Sequence, residues 1–266
     1  MKKNQKNFFC FLVSCLFMFN GCGLETVYYL ITPSVTHNTP NVSSVTDVPS
    51  YENAYFEFTT KDSDNSSLAN GGFKFLGTGI YYKIYYNVSS MLSANSSISA
   101  ADESVAATKM ISTFNYKPLR LKDSAPSPLI PSSSSNQRVY IRLSNYHETT
   151  SDTSVAVLKI DGVDKGIPSR SVGSGGKFYT FDFGRNGIVG YDDDYNKIPV
   201  RGYSSSDVDA DPDVESDTNN YSDENEKLWF VDLYAVSEGR DDTYTTYYSD
   251  VLHLGAVCIS AAEEHN

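Results

Sequence analysis

Period-two alternation of β-branched and aromatic residues constrains this chain more than any other feature. From 80 to 88, Ile80, Tyr82, Ile84, Tyr86 and Val88 alternate with Tyr81, Lys83, Tyr85 and Asn87. Successive side chains of a strand point to opposite faces, so this run reads as a strand with Ile80 and Ile84 turned inward. Residues 54–58, 72–76, 138–143 and 177–183 carry the same signal. Val155 to Ile160 runs into Asp161-Gly162, a pair suited to a two-residue hairpin turn. Leu228 to Val236 and Tyr247 to Ile259 should pair as a second hairpin, with turn chemistry between them from Glu238 to Asp242. Ser99 to Phe114 reads as the one helix, opened by Ser99 and Asp102 in the S-x-x-D relation and striped with Val105, Thr108 and Ile111. The expected class is all-β, an antiparallel β-sandwich with one short helix.

Trp229-x-Val231-x-Leu233-x-Ala235-Val236, then a polar turn and Ser249-Asp250-Val251-Leu252-His253-Leu254, resembles the last two strands of fibronectin type III domains. Ile80-x-Tyr82-x-Ile84-Tyr85-Tyr86 is similar to the third strand of that family. The resemblance implies a fibronectin- or immunoglobulin-like sandwich over residues 51–266. The long interval between the matched strands implies that 91–227 is a large insertion or a second sub-domain.

The first residues set the compartment. Lys2, Lys3 and Lys6 precede an uncharged apolar run from Phe8 to Phe19, and Gly21-Cys22 follows it. The run is about a dozen residues, too short to span a bilayer, so 1–21 reads as a cleaved signal. Gly21-Cys22 resembles the lipobox of bacterial lipoproteins, which implies diacylglycerol on Cys22. Gly23 in place of Asp implies delivery to the outer membrane. Residues 22–50 are expected to be lipid anchor and flexible tether, because Pro33, Pro40 and Pro49 oppose helix and no apolar period is present. Such a tether should be dispensable for stability.

Charge and cysteine content narrow the partners. The formal net charge is −12, and loss of the three signal lysines makes the mature chain more negative still. That surface repels phosphate backbones, which argues against nucleic acid. Beyond Cys10, Cys15 and Cys22, only Cys258 remains, so no disulfide framework exists and stability must come from a core. Cys258 lies in the apolar run Ala256-Val257-Cys258-Ile259 and reads as a buried thiol.

Catalytic motifs are sparse. Gly173 to Lys177 lacks the first glycine and the Ser/Thr of a phosphate loop, Gly77-Thr78-Gly79 lacks the third glycine of a dinucleotide fingerprint, and there is no G-x-S-x-G. His37, His147, His253 and His265 show no zinc spacing. Asp207, Asp209, Asp211 and Asp213, continued by Glu215 and Asp217, place carboxylates at every second residue, a spacing that can surround a calcium ion. The EF-hand pattern fails at Pro212 and Thr218, and a solvated acidic loop is the competing reading. Tyr81 with Tyr85, and Tyr244 with Tyr247 and Tyr248, could stack on sugars or pack in the sheets. The leading expectation is a non-enzymatic binding or adhesion lipoprotein of the bacterial cell envelope, held to the outer membrane through Cys22, with a protein or glycan ligand. The alternatives are a carbohydrate-active hydrolase or glycan-binding module using the acidic stretches near Asp192 or Asp207, and a purely structural envelope protein.

Overall fold

A computed structural model describes residues 28–42, 53–68, 72–122, 124, 126–144, 146–149, 152–171, 178–181, 188–191, 197–200 and 228–260. In chain order the strands are β1 (Ser34–Asn38), β2 (Phe56–Thr59), β3 (Lys74–Tyr85), β4 (Lys117–Pro118), β5 (Arg120–Leu121) and β6 (Ile130–Pro131). Next come β7 (Arg138–Arg142), β8 (Tyr146–Thr149), β9 (Asp152–Ser154), β10 (Val157–Ile160), β11 (Val163–Gly166) and β12 (Pro168–Ser171). The last are β13 (Phe178–Tyr179), β14 (Ile188–Tyr191), β15 (Lys197–Val200), β16 (Leu228–Arg240), β17 (Thr246–Tyr248) and β18 (Leu252–Ser260).

Two antiparallel sheets form the sandwich. One has the order β1-β2-β7-β10-β11; in the other, β16 lies between β3 and the pair β17 and β18, while β4 and β6 cap the far edge of β3. Strand parity builds the core between them. Trp229, Val231, Leu233 and Ala235 of β16 and Ile80, Tyr82 and Ile84 of β3 point inward, where they meet Phe56, Phe58, Val139, Ile141, Leu158 and Ile160 of the facing sheet. The inward face expected for Ile80 and Ile84 is therefore observed, as is the pairing of β16 with β18. Asp161 (φ 51°) and Gly162 (φ 79°) both take the left-handed conformation between β10 and β11, as a two-residue hairpin turn requires.

The opposite face of the β3–β16–β18 sheet is also covered. Tyr81, Tyr85, Phe230, Tyr234, Val236, Ala256 and Cys258 pack beneath Val88, Met91, Ala94 and Ile98 of a helix spanning Val88–Ser99. That helix starts at Asn87, whose side chain accepts from the backbone N–H groups of Ser89 and Ser90. The single helix expected from Ser99 onward is corrected here. Ser99 ends one helix, Asp102 stands before a second (Glu103–Thr108), and a π-turn follows at Lys109–Thr113, closed by Asn115 at φ 57°. A further short helix spans Asp62–Ser67.

Residues 28–42, assigned above to the tether, belong to the folded body: β1 pairs with β2, and Leu30, Pro40 and Val42 are buried. Proline excludes helix but not an edge strand, and the missing apolar period is compensated by side-chain hydrogen bonds. Asn65 accepts from Ile31 N–H at 2.7 Å and donates to its carbonyl at 2.9 Å. Ala256 N–H donates to the Pro40 carbonyl at 2.9 Å, an approach open because residue 255 is a glycine; a Cβ there would stand 2.1 Å from that carbonyl oxygen. The described part of 91–227 contributes to the inter-sheet core. Its Leu119, Ile130, Val139, Ile141, Leu158 and Phe181 share one core with Ile80 and Trp229.

Candidate functional site

A cleft of about 400 Å³ opens at the edge of β3, where its partners change. β4 pairs with β3 through Tyr81↔Pro118 and Tyr82↔Lys117, and β6 pairs through Gly77↔Pro131 and Thr78↔Ile130. Between them the chain peels away after Leu119, so that β5 joins β12 instead. Proline has no N–H to extend a ladder, and Pro118 and Pro131 stand at the two margins of the gap. The volume lies in the range of small-molecule sites.

Glu238 is the buried charge of this cleft. It continues the face of Phe230, Asp232, Tyr234 and Val236 to the sheet's end, and its side chain is held there by the absence of one opposite. A Cβ on Gly79 would lie 1.8 Å from Glu238 Oε1. Tyr81 donates its hydroxyl to that oxygen at 3.0 Å. Burial raises the Glu238 carboxyl above the usual carboxylate range, against smaller lowering effects of the Tyr81 hydroxyl and the Arg120 guanidinium. Burial and the neighbouring Glu238 likewise push the Tyr81 hydroxyl up. Arg120, Arg240, Thr246, Tyr248 and Ser127 complete the polar lining, with Pro118, Pro128 and Leu129 as apolar wall.

A raised carboxyl gives a stability prediction. Below its unfolded-state value near 4.5 the group is protonated in both states; above it the unfolded chain ionises first, so stability falls as pH rises through the folded-state value. Glu238→Gln should therefore raise the melting temperature at neutral pH and change little in acid. Equal shifts at both pH values would show that burial of the charge is not the cause.

A second polar cluster joins the helical layer to the sheet. Asp232, fully buried in β16, accepts from Tyr116 Oη (2.6 Å) and Asn95 Nδ2 (3.3 Å), and its Oδ1 lies 2.7 Å from His253 Nε2. Tyr234 donates to Asn95 Oδ1 at 3.1 Å, Tyr116 Oη lies 3.3 Å from the same oxygen, and Tyr85 donates to Tyr116 at 3.2 Å. Burial is the main reason that the Tyr116 hydroxyl is raised and that Tyr85 is pushed up to about 12. Asn95 of the helix and Tyr116 of the loop before β4 both reach strand residues, so the cluster acts as a weld between layers. A shallower groove nearby is lined by Lys83, Ser89, Ser90 and Phe114, and Lys83 Nζ donates to the Phe114 carbonyl at 2.6 Å.

The residues singled out from sequence fall in several places. Cys22, Asp192, Asp207, Asp209, Asp211, Asp213, His265 and the Gly173–Lys177 turn lie outside the described residues. Cys258 is a buried free thiol, raised to about 12 by burial. Tyr81 and Tyr85 share a face, but it is the face under the helices. Tyr247 packs on Tyr28 and Phe73, Tyr248 lines the cleft, and Tyr244 is exposed at φ 67° beside the Arg240 guanidinium. His37 contacts Thr59 Oγ1, and His147 lies in β8.

Sequence reasoning missed Glu238, Arg120 and Arg240. Glu238-Gly239-Arg240 read as a turn, whereas β16 continues through Arg240 by pairing with β3 and β17, and the turn begins at Asp241. The available signal was parity: Glu238 extends an even-numbered series that is otherwise aromatic, apolar or network-forming. Comparison with family models, with curated proteins and with solved structures returned no match.

Proposed function

We propose that this chain is an exported, lipid-anchored binding protein of the bacterial cell envelope, non-enzymatic, with the β3-edge cleft as its ligand site. The observation that carries the reading is the cleft's inventory: two guanidiniums, hydroxyls and one buried carboxyl beside an apolar wall, a set suited to recognition. Gly21-Cys22 supports lipid attachment and outer-membrane placement. Tyr28 is the first described residue of the body, and the chain from Cys22 to it reaches at most about 20 Å. The body then works close to the lipid surface.

The test has two parts. Cys22→Ser should release the protein from the membrane fraction or leave its precursor unprocessed. The mature chain should retain a ligand on glycan and host-protein arrays, and Arg120→Gln with Arg240→Gln should abolish that retention. Retention untouched by the double variant would place binding elsewhere.

A further inference from the structure

The chemistry of the cleft narrows its ligand, on the binding reading just given. Arg120 and Arg240 approach it from different strands, each half-buried, and neither is in an ion pair among the described residues. Both are held in place by other means. Arg120 Nη1 donates to the Pro126 carbonyl at 3.1 Å, and the Arg240 guanidinium lies 5.0 Å from the centre of the Tyr244 ring. Guanidiniums oriented in this way lose little freedom on meeting a planar anion, which they bind through paired N–H groups. In a chain of net charge −12, a cleft holding two arginines is a local inversion of sign.

Glu238 limits what that anion can be. Its carboxyl sits in the same cleft, so when ionised it offsets one of the two guanidiniums and leaves a single positive charge, which a monocarboxylate balances. The remaining lining is hydroxyl-rich, with Ser127, Thr246 and Tyr248 spaced around the apolar Pro118, Pro128 and Leu129. Hydroxyls beside an apolar wall match a polyol with C–H faces. We propose that the cleft between β3, β5, β16 and β17 binds a small polyhydroxylated monocarboxylate, the chemistry of a sugar acid, with Arg120 and Arg240 on the carboxylate and Glu238, Thr246 and Tyr248 on the hydroxyls.

The pH dependence has a sign. Among the described residues, Tyr81 of β3, Tyr248 of β17 and Arg120 of β5 act on Glu238, and Arg240 of its own strand shares the cleft lining. Both tyrosines are raised, so neither ionises at neutral or mildly acidic pH. Protonation of Glu238 removes a negative charge from beside the guest, so a sugar acid binds more tightly as pH falls from neutral toward mildly acidic.

Calorimetric titration of the mature chain with glucuronate, glucose, glucose 6-phosphate and acetate tests this. Glucuronate should bind at least about tenfold more tightly than each of the other three, a difference of about 1.4 kcal/mol. Arg120→Gln and Arg240→Gln should each weaken it by about that factor while Trp229 fluorescence and the melting temperature stay unchanged, and Arg240→Lys should restore part of the affinity. Glu238→Gln should flatten the pH dependence. Equal binding of glucose and glucuronate, insensitive to either arginine, would overturn the sugar-acid assignment and leave the binding reading standing. Tighter binding of glucose 6-phosphate would overturn the monoanion. No heat with glucuronate up to about 10 mM, far above the micromolar range of specific small-ligand sites, would overturn the proposal, while the array screen decides the wider reading separately.

Discussion

A chain starting at residue 43 should fail to fold cooperatively, whereas one starting at Tyr28 should melt with the full-length protein. The difference is the segment 28–42. Leu30 and Val42 are each at most 2% exposed, and losing their burial costs about 1.5–3 kcal/mol apiece. Deletion also strips the β1 edge from β2, opening the flank of Phe56 and Phe58. Asn65 and Ser237, both fully buried, would lose their bonds to Ile31, including Ser237 Oγ to the Ile31 carbonyl at 2.7 Å. Buried polar groups left without partners cost about 1–3 kcal/mol each. These losses together rival the whole stability of an ordinary domain, about 5–15 kcal/mol. Circular dichroism melts of the two truncations decide it, and a 43-start chain that melts with the full protein would return 28–42 to the role of a tether.

Asp232→Ala should be the most damaging single substitution outside the inter-sheet core. The carboxylate joins Tyr116, Asn95 and His253, and its removal leaves buried hydroxyl and amide groups short of partners. Each buried polar group left without its partner costs about 1–3 kcal/mol. The loss should begin in the helical layer. Cys258 lies under that layer and Trp229 lies between the sheets, so the two report separate regions. In Asp232→Ala, thiol labelling of Cys258 should accelerate before Trp229 fluorescence changes in a denaturant series, and Asp232→Asn should lose less. Simultaneous transitions with unchanged midpoint would show that the network contributes nothing.

The strands legible in the sequence are those whose two faces differ or whose turns announce themselves. Ile80 to Ile84 and Trp229 to Ala235 alternate because one parity enters the inter-sheet core, and Asp161-Gly162 marks its hairpin through backbone conformation alone. The helix at Val88–Ser99 escaped notice because its buried residues, Val88, Met91, Ala94 and Ile98, are embedded among serines and one of them is only a methyl group. β1 was illegible for a different reason: its anchors Leu30 and Val42 flank a polar stretch held by Asn65, Ser237 and the glycine at 255. The cleft could not be read from any local pattern. Its members come from β3, β5, β16 and β17, and Gly79 meets Glu238 across 159 residues of chain.

The most direct measurement of the central claim is backbone amide NMR of the mature chain during titration with the ligand that it retains. The largest shifts should fall at Gly79, Ile80, Arg120, Glu238, Arg240 and Thr246, with the Val88–Ser99 helix and the β10–β11 hairpin unmoved. Shifts concentrated on those unmoved elements, with the cleft silent, would contradict it.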